Sequence, residues 1–407
     1  MSTLLSINNY YYRRGGADVA FLEQNRLFQD IGWHVVPFSM RHPKNLDSPW
    51  SEYFVNELEF GNEHSVLTKL ILATKVIYSF EARRKLRRLI ETVKPNISHL
   101  HNIYHHISPA ILSMLRRYDI PVVITLHDLK LACPAYKMLN EGGICERCRE
   151  GRLYNVVVNK CVKTSLTLST LVFLESSIHR LLGTYEKNVD RFIVPSQFYL
   201  NKMLEWGFNP SKFVYIPNFV DIDKFVPTNK VGRTFLYVGR LGPEKGIATL
   251  IKAASKAQVP LRIVGIGPEE EKLQRLVEQL GSKVTFLGYL IGDALHHAIR
   301  EARAVVIPSE WYENAPISML ESYALGVPVI GAAIGGIPEL IKTNETGLIF
   351  DSGSIDDLAS ALRYMSELSD ADVLRLGNLG RAWVETEFTK IHYRDRLLNL
   401  YSMLNKN

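Results

Sequence analysis

Residues 309 to 339 read S-E-W-Y-E-N-A-P-I-S-M-L-E-S-Y-A-L-G-V-P-V-I-G-A-A-I-G-G-I-P-E. The apolar run Ala304 to Ile307 just before them has the composition of a buried strand. Pro316 has its φ pre-set for the first turn of a helix, and Gly326-Val327-Pro328 closes that helix. The stretch therefore predicts strand, loop and helix, with Glu313 on the loop at the helix mouth and Glu321 about one and a half turns inside. Free backbone N–H groups at a helix start attract anions, so two flanking carboxylates suit a ligand carrying both phosphates and hydroxyls. Solvated carboxylates near the positive end of a helix dipole look the same in sequence, and the pair alone does not separate the two.

The strand-then-helix pattern recurs in both directions. Upstream, Leu4 to Ile7, Val35 to Phe38, Ile97 to Leu100, Val122 to Leu126 and Phe192 to Val194 are short apolar runs between helical stretches. Downstream, Phe235 to Val238, Leu261 to Val264, Val284 to Leu287, Ala304 to Ile307, Pro328 to Ile330 and Leu348 to Phe350 repeat it. Alternation of this kind predicts parallel sheets covered by helices on both faces. With 407 residues and 46% hydrophobic residues, the chain can bury two such cores. The polar connector from Ile216-Pro217 through Val231-Gly232 marks the boundary, dividing residues 1–217 from 218–387. A final helix near Lys390 to Leu404 has apolar positions at Leu397, Leu398, Leu400, Tyr401 and Leu404, so one face packs on something.

Candidate ligand residues fall at strand ends, where crevices open in such sheets. Phe235 to Val238 runs into Gly239-Arg240-Leu241-Gly242-Pro243-Glu244-Lys245-Gly246, a glycine-bearing turn with two cations that can neutralise a diphosphate. Gly15-Gly16 follows the first strand, where a backbone without Cβ atoms lets a ligand approach closely; many tight turns use the same pair with no ligand. His127-Asp128 ends the strand Val122 to Leu126, and His101, His105 and His106 lie in the preceding loop. Gly335-Gly336-Ile337-Pro338-Glu339 permits a further turn beside the Glu313 loop.

Taken together, the G-R-x4-K-G element at Gly239 to Gly246 and the E-x7-E pair Glu313/Glu321 resemble the family 4 glycosyltransferases, retaining enzymes with the two-Rossmann GT-B fold. The resemblance extends over most of the chain. It implies an α/β architecture of two doubly wound parallel-sheet domains facing a cleft, with the C-terminal helix, residues 388–407, crossing back to the first domain. It also implies transfer of a sugar from a nucleotide-diphosphate sugar, UDP- or GDP-linked, to a glycan or lipid-linked glycan in polysaccharide or O-antigen assembly. Under it, Arg240 and Lys245 grip the diphosphate, Glu313 holds donor-sugar hydroxyls, Glu321 the ribose hydroxyls, and His127 the sugar from the opposite domain. Gly15, Gly16, Leu290, Asn314, Ala315, Pro316 and Ile317 complete the implied donor site, with Gly265, Gly267 and the run Leu287 to Leu290 near the base. The family needs no metal for this chemistry. A nucleotide-sugar epimerase on the same architecture and a non-catalytic nucleotide-sugar scaffold are the competing classes.

All four cysteines fall within 29 residues: Cys133, Cys145, Cys148 and Cys161, in an insertion over residues 129–165. The C-x2-C knuckle and four thiolates fit a closed tetrahedral zinc site serving folding, so the expected cofactors are none for catalysis and a structural zinc. Free thiols, two disulfides or an iron–sulfur cluster are the alternatives. The chain opens Met1-Ser2-Thr3 straight into an apparent core strand, with no secretory signal, which points to a cytoplasmic location. Residues 67 to 92 combine apolar positions with Lys69, Lys75, Arg83, Arg84, Lys85, Arg87 and Arg88, a pattern that fits either an anionic membrane surface at the inner face or an ordinary helix with a solvated basic side. No uninterrupted apolar run is long enough to span a bilayer. Net charge is +6, and the cysteine segment offers few cations and only Tyr154 for stacking, so nucleic acid is not an expected partner.

Overall fold

A computed structural model describes residues 2–58 and 74–405. In chain order the strands are β1 (Thr3–Ile7), β2 (His34–Phe38), β3 (Ile97–Leu100), β4 (Val122–Thr125), β5 (Leu139–Asn140), β6 (Gly143–Ile144), β7 (Arg191–Val194) and β8 (Phe213–Tyr215), followed by β9 (Thr234–Val238), β10 (Leu261–Val264), β11 (Val284–Phe286), β12 (Ala302–Ile307), β13 (Val329–Ala332) and β14 (Gly347–Phe350). Twelve of them build two six-stranded sheets, and β5 and β6 form a separate antiparallel pair. The first runs β2-β1-β3-β4-β7-β8 and the second β11-β10-β9-β12-β13-β14, with every pairing parallel. Strand order reverses between β1 and β3 in the first sheet and between β9 and β12 in the second, and at such a switch point the loops leaving the carboxyl ends splay apart into a crevice.

Helices cover both faces of both sheets, which is why the central strands carry apolar residues on each side: β1, β3, β4, β12 and β13 are buried at every position. The expected strand runs all form, with ends that differ by one to two residues. β12 starts at Ala302, ahead of the expected Ala304, because Arg303 interrupts the apolar run. Its guanidinium is nonetheless buried, donating from Nε to the Met365 carbonyl at 2.7 Å and pairing with Asp370 at 3.3 Å. The edge strand β8 was not expected; it has only three residues and merges with the Ile216-Pro217 connector. Pro316 is the N-cap of the helix Ile317–Ala324, with extended ψ of 118°, and not its first-turn residue. Residues 67 to 73 of the basic apolar stretch lie outside the described residues. In the helix Phe80–Val93, Arg83 donates to the Ala110 carbonyl and Lys85 to the Phe54 carbonyl, while Arg84, Arg87 and Arg88 are exposed. Among the described residues no helix is long and apolar enough to cross a membrane.

The chain crosses between the sheets twice, side by side. Val220 N–H donates to the Phe388 carbonyl at 2.9 Å, and Val220 bridges Thr389. The helix Lys390–Leu404 then packs across the first sheet in a cluster with Leu4, Phe28, Ile97 and Val123, contributing Tyr393, Leu397, Leu400 and Tyr401. Two polar anchors fix its register: Tyr393 hydroxyl donates to Gln24 Oε1 at 2.8 Å, and Tyr401 hydroxyl hydrogen-bonds with His99 Nδ1 at 2.5 Å. Leu397 is fully buried at this seam. Leu397→Ala is expected to destabilise the protein by about 2–5 kcal/mol, read as a lower denaturant midpoint, because the cavity left under a docked helix cannot collapse.

Candidate active site

The two switch-point loops of the second sheet meet at one place. The loop after β9 carries Arg240 and Lys245; the loop after β12 carries Glu313 through Pro316 and leads into the helix Ile317–Ala324. Gly246 makes the meeting possible, since a Cβ there would lie 1.8 Å from the Pro308 carbonyl oxygen and its φ is +66°. Lys245 Nζ donates to Glu313 Oε1 at 2.5 Å, and Ser309 Oγ donates to the same oxygen at 2.7 Å. Burial would raise the Glu313 carboxyl, but the Lys245 charge and these hydrogen bonds outweigh it and hold the group below the usual carboxylate range. Glu321, in the helix behind, has no such partner. Burial pushes it up to about 7, with Arg13 opposing and Glu23 adding.

Arg240 pairs with Glu244, whose side chain is fully buried. A second cation reaches that carboxylate from the first domain: Lys137 Nζ stands 3.4 Å from Glu244 Oε2. Glu244 thus keeps a counter-charge if Arg240 turns to an anion in the cleft. Neither Glu244 nor Lys137 was singled out in the sequence, because the pairing joins residues 107 positions apart.

From the first sheet, His127 and Asp128 follow β4. His127 Nε2 is 2.7 Å from His101 Nδ1, and the two rings stack at 5.0 Å; His99 stacks on His101 at 4.8 Å. Burial pushes His127 down to about 4 and His99 to about 3, the latter with help from His127, so these imidazoles are neutral near pH 7. Asp128 goes the other way, raised to about 6 by burial against the opposing effect of Lys130. Gly15 caps the helix Gly16–Asp30; a Cβ on Gly15 or Gly16 would meet nothing within 4 Å, so internal packing demands neither glycine. His105 and His106 sit farther along the loop after β3, and Leu290 is half-buried on the loop after β11.

Asn314 joins the two sides. Its Nδ2 donates to the Leu126 carbonyl at 2.9 Å, one residue before His127, and its Oδ1 accepts from Ser196 Oγ at 2.8 Å. Asn218 Nδ2 donates to the Ala315 carbonyl at 2.9 Å. Glu339 reaches across to accept from the backbone N–H groups of Gln197 and Phe198, capping a helix of the other domain. Gly335 and Gly336 let these pieces touch: Gly336 N–H donates to the Glu313 carbonyl at 2.9 Å, and a Cβ on Gly336 would lie 2.0 Å from the Asn314 oxygen.

The cysteine segment is a small lobe on the first domain, containing the β5–β6 hairpin and the short helix Asn155–Val158. All four cysteines are free thiols. They neighbour one another: burial raises Cys148 to about 12 with Cys133, Cys161 and Cys145 adding, and Cys161 to about 11 with Cys133 and Cys145 adding. Among the described residues, no three His, Cys, Asp or Glu side chains are arranged to hold a metal ion. The donor set has zinc chemistry, but the side chains are not drawn together around one point. Glu146, inside the C-x2-C knuckle, accepts from Lys202 Nζ at 2.9 Å and from the Tyr312 hydroxyl at 2.9 Å. The lobe therefore touches the residue next to Glu313.

Two parallel-sheet domains, with cations and carboxylates gathered at strand ends where they meet, define a GT-B fold. Residues 14–224 match the Glycosyltransferase Family 4 domain and residues 220–383 the Glycosyl transferases group 1 domain, and the chain belongs to glycosyltransferase family 4. It is 34% identical over 200 residues to a GDP-mannose-dependent α-(1-6)-phosphatidylinositol monomannoside mannosyltransferase of Mycobacterium tuberculosis, covering 43% of this chain and 51% of the relative. With the corresponding enzyme for the monoacylated substrate from Corynebacterium glutamicum it shares 32% over 249 residues, 54% of this chain and 63% of the relative. The chain thus spans about half to 63% of the length of these curated relatives. An uncharacterised protein of the cps region of Klebsiella pneumoniae is 26% identical over 84% of this chain and 88% of its own. Among solved structures, sucrose-phosphate synthase from Thermosynechococcus elongatus superposes with a TM-score of 0.73 at 21% identity, covering 99% of each chain. Anabaena HepE, in complex with UDP and glucose, superposes with 0.70 at 16% identity, covering 99% of this chain and 100% of its own. These two likenesses establish the fold.

Gly336→Ala is expected to force the Asn314 loop away from the first domain, lowering stability by about 1–3 kcal/mol. Small-angle scattering of the variant should report a more open molecule, and an unchanged profile would show that the seam does not depend on that close approach.

Proposed function

We propose that the protein transfers a sugar, with retention, from a nucleotide-diphosphate sugar to a glycan or lipid-linked glycan. The observation carrying this is the convergence of Arg240, Lys245 and Glu313 at the second switch point, with Asn314 linking them to the strand end that carries His127. The relatives' names point the same way: the mycobacterial and corynebacterial proteins use GDP-mannose on phosphatidylinositol monomannosides, and HepE was captured with UDP and glucose.

In this reading the diphosphate enters at the loop after β9. Arg240 leaves Glu244 for the phosphate oxygens, and Lys137 remains as the neighbour of the buried Glu244. Lys245 adds its point charge, and together they stabilise negative charge as the bond from the anomeric carbon to the diphosphate breaks. The acceptor hydroxyl attacks the anomeric carbon from the leaving-group side. Its proton passes to the departing phosphate oxygen, which balances the step without a protein nucleophile. Glu313, kept ionised, accepts hydrogen bonds from sugar hydroxyls; Glu321 takes those of the ribose; neutral His127 faces the sugar from the first domain. The cations supply the charge neutralisation for which no metal is invoked. Gly15-Gly16, Leu290 and Ala315 to Ile317 border the same space. Work at the cytoplasmic face of a membrane fits the exposed Arg84, Arg87 and Arg88 and the lipid-linked acceptors of the relatives.

Thermal shift with UDP, GDP, ADP and their sugar conjugates tests the donor site. One nucleotide series at about 100 times its Kd should raise the melting temperature by roughly 5 °C, and Arg240→Ala should abolish the rise. A flat response to every nucleotide would remove the donor assignment.

The cysteine lobe is proposed to close around a structural zinc, supported by four thiols on one lobe and the C-x2-C knuckle. The residues that would hold it are Cys133, Cys145, Cys148 and Cys161, and its contribution would be to fold the wall of the cleft that Glu146 and Lys137 present. Metal analysis of fresh protein should return about one zinc per chain, and Cys148→Ser should lose it and melt earlier. Protein that carries no bound ion rejects this part.

A further inference from the structure

The helix Leu166–Leu182 is turned inside out. Its buried positions are Ser169, Val172, Glu175 and His179, three of them polar. Each polar one has a partner in the first domain. Ser169 Oγ accepts from the Val162 N–H at 3.1 Å, and Glu175 Oε2 accepts from Lys130 Nζ at 2.7 Å. His179 Nδ1 hydrogen-bonds with Thr184 Oγ1 at 3.1 Å, and its Nε2 donates to the Ile77 carbonyl at 3.0 Å. The exposed positions are the apolar ones: Leu166, Leu174, Ile178, Leu181 and Leu182 recur at helical spacing along one face, and Leu181 is 86% exposed. Single exposed leucines are ordinary, but a whole apolar face turned away from the core marks a contact that none of the described residues supplies.

The face is continued at both ends. The short helix Asn155–Val158 packs beside it and presents the exposed Val158. At the other end, the His179 bond to Ile77 brings up Tyr78 and Phe80, whose rings stand 4.8 Å apart, and Phe80 is 77% exposed. Cations edge this apolar strip: Lys160 and Lys163 before the helix, Arg180 and Lys187 at its end, and Arg84 one turn beyond Phe80. All five are exposed, and none is paired with a carboxylate among the described residues. Against them, residues 160–187 offer one exposed carboxylate, Glu186.

An apolar centre with a basic rim decides the occupant. A second copy of this chain, docked face to face, would set these cations against one another in either orientation, and like charges brought together oppose docking. An anionic lipid surface meets both parts, since headgroups take the cations while the leucines enter the acyl boundary. The helix lies on such a surface, because its 17 residues are not long and apolar enough to cross it. We propose that the face of Leu166, Leu174, Ile178, Leu181 and Leu182, with Val158 and Phe80 at its ends, docks the protein on an anionic bilayer. That the bilayer carries the acceptor rests on the transferase reading; the lipid affinity of the face does not. On the inner side of the helix, Glu175 holds Lys130, whose N–H donates to Asp128 Oδ1 at 2.9 Å, so one helix and one short loop separate the bilayer from the cleft.

Co-sedimentation of the full chain with lipid vesicles, without nucleotide or sugar, tests it. Vesicles of phosphatidylglycerol and phosphatidylcholine in equal parts should carry the protein down, phosphatidylcholine alone should not, and added salt should weaken the binding. Leu181→Glu should lower the affinity about ten-fold or more, as should Leu182→Glu, and both should melt with the wild type because these side chains already face water. Leu379→Glu, at an exposed leucine of the second domain, should bind as the wild type does. No binding to the anionic vesicles, equal binding to both kinds, unchanged affinity in both variants of the helix, or an equal loss in Leu379→Glu would each overturn the proposal. Light scattering that shows a wild-type dimer and a Leu181→Glu monomer would overturn it too, by covering the face with a second copy. Nucleotide binding is not read in this assay, so a failure here leaves the transferase reading intact, and a flat nucleotide response leaves the docking face intact.

Discussion

The side-chain amide of Asn314 is the contact on which the cleft depends. One end donates to the carbonyl that precedes His127 and the other accepts from Ser196 at the start of a first-domain helix. An amide is one of few groups that can donate and accept at once across so narrow a gap, and Gly336 keeps the gap narrow because it has no Cβ to insert. Glu313 precedes Asn314 in the chain, so whatever sets the spacing of the domains also sets where the carboxylate stands relative to His127. Glu339 reinforces the same seam by capping the helix that Ser196 begins, which uses unpaired backbone N–H groups as the anchor.

Lys245 and Arg240 are each paired with a carboxylate in the cleft, and the two pairs differ in what stands behind them. Lys245 rests on Glu313, and Arg240 rests on Glu244. A buried carboxylate stripped of its only counter-ion would resist releasing it, since an unpaired buried charge costs several kcal/mol. Glu244 escapes this because Lys137 approaches from the opposite domain, whereas Glu313 has Lys245 as its counter-charge and Ser309 only as a neutral donor. Arg240 can therefore turn to an incoming anion at modest cost, while Lys245 serves best by staying on Glu313. The neutral stack of His99, His101 and His127 on the other side adds no competing charge.

The cysteine lobe belongs to this arrangement and is not an appendage. Lys137 leaves it toward Glu244, and Glu146, inside the knuckle, holds the Tyr312 hydroxyl and Lys202. Order in the lobe is thereby transmitted to both switch-point loops of the second domain, the one that carries the cations and the one that carries Glu313. The Lys130–Glu175 pair sits on the lobe's inner side, next to Asp128, so the same short segment of chain joins the cleft to the helix Leu166–Leu182.

The sequence by itself determined the two-sheet architecture, because strands buried on both faces must be nearly all apolar and the helices between them must be amphipathic; eleven runs from Leu4 to Phe350 showed this. It also determined which residues stand at strand ends, since Gly239 to Lys245 and Glu313 to Pro316 are local strand-to-helix connections, and it marked the C-terminal helix by its apolar face. Where local pattern was broken, the reading faltered: Arg303 concealed the start of β12, and three residues before a proline concealed β8. Only the tertiary structure decided which strand ends meet. The partnerships of Glu244 with Lys137, Asn314 with Leu126 and Ser196, Glu339 with Gln197, and Lys130 with Glu175 join residues that are 45 to 188 positions apart. No periodicity encodes such pairs; they follow from tertiary packing, which places loops distant in sequence within hydrogen-bonding reach.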